Sequence, residues 1–190
     1  MGIISKIRTN IFKAHLNKQL SQIKVTRSSI DFEDAQSIGI LFDATEGDQR
    51  NIVLDYAKKL KEAGKKVQLL GFVKTKQKDL SLPFKFFTWR EVNWKMIPQS
   101  SEISKFLSNQ FDILINLYLP ALEKKAEKNQ PIEYISALSK ANLRVGPFSQ
   151  NTNSFDLIID VPVGEDLKHL IKQIDFFLNR INSPIYEPAL

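Results

Sequence analysis

Apolar residues follow two rhythms along this chain. Short apolar runs at Ile38–Phe42, Val67–Val73, Ile113–Leu117 and Leu157–Val161 read as strands buried on both faces. The segments between them carry apolar residues at the three- and four-residue spacing of helices. The first unit shows the grammar most fully. Thr45 and Asp48 make a capping-box-like start behind Ile38–Phe42, and Glu46 and Asp48 suit a helix's first turn. Ile52, Val53, Tyr56, Ala57 and Leu60 then form an inward stripe, Gly64 stops the helix, and Lys66–Val73 returns as the second strand.

The pattern predicts further strands near 84–88, 112–118, 143–145 and 156–161. Helices are predicted over Ser101–Asn109, from Pro131 with Ile132, Ile135, Ala137 and Leu138 facing inward, and along Leu167, Leu170, Ile171, Ile174, Leu178 and Ile181. Parallel neighbours ordinarily need a crossover of a dozen residues or more. Gly146–Ser154 is shorter and lacks a helical period, so the last two strands are expected to be antiparallel or apart. The expected fold is therefore α/β: a three-layer Rossmann-like domain with a mixed, mainly parallel sheet, plus an N-terminal amphipathic helix.

That helix takes in residues 1–27, where Ile3, Ile4, Ile7, Ile11, Phe12, Leu16, Leu20 and Ile23 trace one stripe. Residues 28–37 read as a linker, 38–182 as the α/β domain and 183–190, with Pro184 and Pro188, as an irregular tail. A length of 190 residues suits one domain with one core.

Charge changes the picture at one end only. The net charge of +6 is held by Lys6, Arg8, Lys13, Lys18, Lys24 and Arg27, with no acid before residue 31. The other 160 residues carry 21 basic and 21 acidic groups. A local basic segment on a neutral body does not predict nucleic-acid binding. The stripe needs a cover, and the expected ones are the body itself, a second copy or another protein, or an anionic membrane surface. Zero cysteines exclude disulfides and thiolate metal sites and fit a reducing cytosol, with a peripheral position on the inner membrane face if the helix meets lipid.

Candidate chemistry lies at strand ends. The loop Asp43-Ala44-Thr45-Glu46-Gly47-Asp48 sits where a Rossmann-type protein holds pyrophosphate, yet it has one glycine and three carboxylates. Asp43 with Glu46 or Asp48 would offer oxygens to Mg²⁺, or the acids simply complement the helix dipole. Asn116, inside an apolar strand, needs a partner in the backbone or in a ligand. Arg144, Ser149 and Asn151 belong to a polar region suited to hydrogen-bonding a sugar or carboxylate, and equally to an ordinary turn. His15 and His169 have no second ligand at metal spacing. The ligand-binding candidates are thus Asp43, Thr45, Glu46, Asn116, Arg144, Ser149 and Asn151. No catalytic residue, metal site or cofactor is expected.

The strings FDILINL, PIEYISALSKANLRVGPF and FDLIIDV, from Phe111 onward, resemble a set of short bacterial proteins of unknown function, over most of the chain. The same region is similar to the N-terminal Rossmann-like half of heptosyltransferase-type glycosyltransferases through Asp112, Ile115, Leu117, Arg144 and Gly146. That resemblance implies the fold. Those enzymes use a second domain for the nucleotide-sugar, for which 190 residues leave no room. The expected function is a non-catalytic binding or interaction protein on a Rossmann-like scaffold, with a small transferase or hydrolase acting on a sugar or nucleotide as the alternative.

Overall fold

At the centre of the molecule lies β1 (Ser37–Asp43), whose residues Ile38–Phe42 are buried without exception because both faces and both edges are covered. The computed structural model describes residues 3–23, 25, 27, 30–119, 130–148, 154–162 and 164–180. β2 (Lys66–Val73) pairs with one edge of β1 and β4 (Ile113–Leu117) with the other, each parallel. β3 (Lys85–Thr88) flanks β2, and β5 (Leu143–Pro147) and β6 (Leu157–Ile159) extend the sheet beyond β4. The order is β3-β2-β1-β4-β5-β6, all parallel, the Rossmann arrangement.

Alternation along β1 sorts its side chains to two cores. Ile38, Ile40 and Phe42 meet α2 (Gly47–Glu62) and α5 (Leu167–Leu178) through Val53, Leu60, Leu170 and Ile174. Leu41 faces the opposite layer, where α3 (Ser101–Ser108) and α4 (Gln130–Leu138) contribute Ile103, Phe106, Ile132 and Ile135. Gly39 makes this layer possible, since a Cβ there would stand 2.8 Å from the Phe111 ring.

The mixed sheet expected from sequence is corrected: β5 and β6 are neighbours and run parallel. A parallel return within residues 148–156 is short enough because β6 has only three residues. A return of about 10 Å suffices for such a strand, and nine extended residues reach up to about 30 Å. The connection re-enters against the sheet, with the Phe155 ring 2.5 Å from where a Gly146 Cβ would lie.

α1 (Ile3–Leu20) docks on α4 and the β3–α3 connection, burying Phe12 and Leu16 against Met96, Ile97, Tyr134, Ala137 and Leu138. Its docked face is rotated from the predicted stripe and keeps only part of it, Phe12, Leu16 and Ile23. Ile7 is 53% exposed and Leu20 36%, while Thr9 and His15 face inward. The reason is polar: Tyr134 Oη lies 3.2 Å from His15 Nε2, and Gln130 Nε2 donates to Thr9 Oγ1 at 3.3 Å. Residues 30–36 lie on the body as well, with Ala35 buried and the Phe32 and Glu33 carbonyls accepting from Lys65 Nζ at 2.9 and 2.7 Å.

Candidate functional site

The strand order reverses direction between β1 and β4, and in open α/β sheets ligands bind outside the carboxyl ends of strands at that reversal. The described residues that reach this place are Asp43 and Thr45 behind β1, Lys74 behind β2 and Tyr118 behind β4. The register pairs Asp43 with Phe72, which sets Lys74 just beyond it.

Asp43 Oδ2 and Lys74 Nζ form an ion pair at 2.8 Å, with side chains only 16% and 14% exposed. The other carboxylate oxygen, Oδ1, accepts from Thr45 N–H at 2.9 Å. Thr45 Oγ1 accepts from Lys74 N–H at 3.0 Å, and Ala44 N–H donates to the Phe72 carbonyl at 2.8 Å. Arg50, one turn into α2, turns back and donates to the Ala44 and Thr45 carbonyls at 2.8 and 2.9 Å. The Lys74 ammonium also stands 5.0 Å from the centre of the Tyr118 ring, within cation–π range.

This network corrects the capping-box expectation. The residue preceding α2 is Glu46, which makes no side-chain cap, and the Thr45 hydroxyl is committed across the loop to β2. Glu46 and Asp48 stay exposed, and Asp43 is held by Lys74. Among the described residues no three His, Cys, Asp or Glu side chains are grouped to hold a metal ion.

The remaining candidates are scattered. Asn116, 3% exposed, donates through Nδ2 to Ser136 Oγ at 2.8 Å and accepts through Oδ1 from Tyr118 N–H at 2.9 Å, so it fastens β4 to α4. Arg144 is the second residue of β5, level with Leu114 and Gly39, four strand residues below Asp43 and on the order of 13 Å down the sheet. There its Nε and Nη2 donate to the two Asp156 carboxylate oxygens at 3.0 and 2.9 Å. Arg27 adds an ion pair to Asp156 at 3.8 Å and donates to the Ala141 and Ser139 carbonyls at 2.6 and 3.2 Å. Ser149 and Asn151 lie outside the described residues. His15 faces Tyr134, and His169 Nδ1 lies 3.1 Å from Glu165 Oε2.

Three carboxylates away from the crevice have shifted acidity. Burial opposes ionisation of Asp156, but hydrogen bonds from Arg144 and the nearby Arg27 outweigh it and hold the acid below the usual carboxylate range. Asp112 behaves alike: burial is overcome by donors from Ser37 and Gln36 and by Lys65. Asp175 moves the other way, raised by burial despite the Tyr56 hydroxyl at 2.6 Å and Lys59. It lines a cleft of about 400 Å³ between α2 and α5 with Tyr56, Lys59, Lys168 and Lys172.

Lys74 and Arg50 are the site residues that pattern reading missed. Lys74 carries a signal only once β1 and β2 are set in register, and Arg50 only once Glu46 is known to leave the loop carbonyls uncapped.

No curated protein and no solved structure matches the chain, so the glycosyltransferase likeness rests on the Asp112–Gly146 residues alone. One family model matches residues 8–181, a family of unknown function (DUF6913). With that span covered, the chain belongs to this family.

Proposed function

We propose that this chain is a binding or interaction protein that keeps a Rossmann-like scaffold without cofactor chemistry. The observation that carries the reading is the Asp43–Lys74 ion pair. Pyrophosphate binding at a Rossmann first turn needs close backbone approach and a helix N-terminus free of negative charge. Here the turn is closed on itself by Asp43, Thr45, Lys74 and Arg50, and the helix opens on Glu46 and Asp48. The side chains of Asp43, Thr45, Lys74 and Arg50 that would meet a cofactor are engaged within the protein.

A second reading draws on one feature of the same place. A small transferase or hydrolase acting on a sugar or nucleotide would use the lysine–tyrosine pair at the strand-order reversal, with Lys74 Nζ 5.0 Å from the Tyr118 ring. Thermal unfolding with ATP, NAD⁺, UDP-glucose and Mg²⁺ separates the two. The binding-protein reading expects the midpoint to stay put with all four. A reproducible rise that disappears in Lys74→Met would overturn it in favour of the enzyme.

A further inference from the structure

We propose that the outer face of α1 is a docking surface for an anionic lipid bilayer. The inference goes beyond the crevice and stands independently of it.

Docking on α4 divides the cations of the basic segment. Arg8 turns inward to Met96 Sδ at 4.0 Å, and Arg27 is fixed on the Ala141 and Ser139 carbonyls. The fully exposed charges on α1 are then Lys6, Lys13 and Lys18, and the helix contains no acidic residue. Exposed beside them are Ile7 and Leu20, which the rotation of the docked face leaves in solvent. Among the described side chains, the other exposed α1 residues are two asparagines and an alanine.

Charge complementarity selects an anionic partner, and the aliphatic side chains select which one. A bilayer interface accepts lysines at its head groups and aliphatic side chains just below them, so both parts of this face find a place. Nucleic acid would use the charges and leave Ile7 and Leu20 exposed. It would also favour arginine's bidentate fork, and both arginines of the segment are turned to the protein. Among the described residues no helix is long and apolar enough to cross a membrane, so the contact is one of surface attachment.

Three lysines near an anionic surface, at about fivefold in affinity each, give about a hundredfold preference over neutral lipid. The test is co-sedimentation of the full chain with vesicles of phosphatidylglycerol in phosphatidylcholine and with vesicles of phosphatidylcholine alone, at low and high salt. The expected result is pelleting with the anionic vesicles only, weakened by salt. The triple variant Lys6→Glu, Lys13→Glu, Lys18→Glu should lose that pelleting while keeping its thermal midpoint, and Ile7→Ser should weaken it severalfold. Several outcomes overturn the proposal: a wild-type chain that stays in the supernatant, pelleting undiminished in the triple variant, retardation of duplex DNA without vesicle binding, or a charge-dependent self-association without vesicle binding.

Discussion

Arg144 and Asp156 are joined four times over, once by Asp156 N–H donating to the Arg144 carbonyl at 2.8 Å. Arg144 N–H donates to Asp156 Oδ2 at 2.8 Å, and its guanidinium embraces both carboxylate oxygens. The pair clamps the entry of β6 to the entry of β5 at the edge of the sheet. Arg144→Ala removes two charge-assisted bonds and leaves a half-buried carboxylate with Arg27 and the residue-144 N–H, so urea unfolding should show a loss of about 1–3 kcal/mol.

The acidity of the same carboxylate fixes a pH dependence. Asp156 is held below its unfolded range, so its stabilising contribution is complete above the unfolded pKa and is lost as pH falls through the lower, folded one. Asp112 adds a contribution of the same sign. Wild-type stability should therefore drop on acidification below about pH 4. Asp156→Asn should be less stable at pH 7 and fall less steeply, measured by denaturant midpoints across pH 3–7.

Asp175 gives the opposite slope. Its folded acidity is raised, chiefly by burial, so its contribution is fullest below the unfolded pKa and declines as pH rises through the folded one. Asp175→Asn keeps an oxygen to accept from Tyr56 and cannot ionise. Its stability relative to wild type should improve as pH climbs from about 4 to 7. A constant difference over that range would refute the assignment.

At the crevice, Asp43 and Lys74 should be energetically coupled. Asp43→Asn and Lys74→Met, alone and together, form a double-mutant cycle, and the sheltered geometry at 2.8 Å predicts about 1–2 kcal/mol of coupling. A coupling near zero, as for exposed pairs, would mean that the loop is held by Arg50 and the Thr45 bonds instead.

Gly146→Ala tests the close approach of Phe155 to β5. The added methyl meets the Phe155 ring at 2.5 Å, which must shift with the entry of β6, so a cost of about 1–3 kcal/mol is expected in thermal or urea unfolding. The double variant Gly146→Ala, Phe155→Ala should lose less than the sum of its parts.

What was legible in the sequence depended on distance along the chain. Strands buried on both faces need mostly apolar runs, so β1, β4 and the buried second half of β2 were visible, and the α5 stripe followed from Leu167, Leu170, Ile174 and Leu178. Asp43 and Thr45 could be placed at the crevice from sequence because a strand–helix turn is a local feature. Lys74 was not, since its approach to Asp43 depends on the β1–β2 register. Arg144 was misread as a strand-end residue because pairing with β4 begins at Leu143, and its partner Asp156 lies 12 residues on in a neighbouring strand. The α1 face was misjudged because the polar partners on α4 that rotate it, Tyr134 and Gln130, are more than a hundred residues away.

The position of β1 also bears on how the chain is made. On the ribosome, β2 becomes available about 30 residues after β1, but β4, which must occupy the other edge, is not complete until Leu117 has been added. At about 5–20 residues per second, one side of the central strand waits for several seconds without its neighbour. An open strand edge of that kind invites pairing with other nascent chains. Asp112, whose carboxylate accepts from Ser37 N–H at 2.8 Å and Gln36 N–H at 2.9 Å, ties the start of the arriving strand to the start of β1, and so helps fix the correct register.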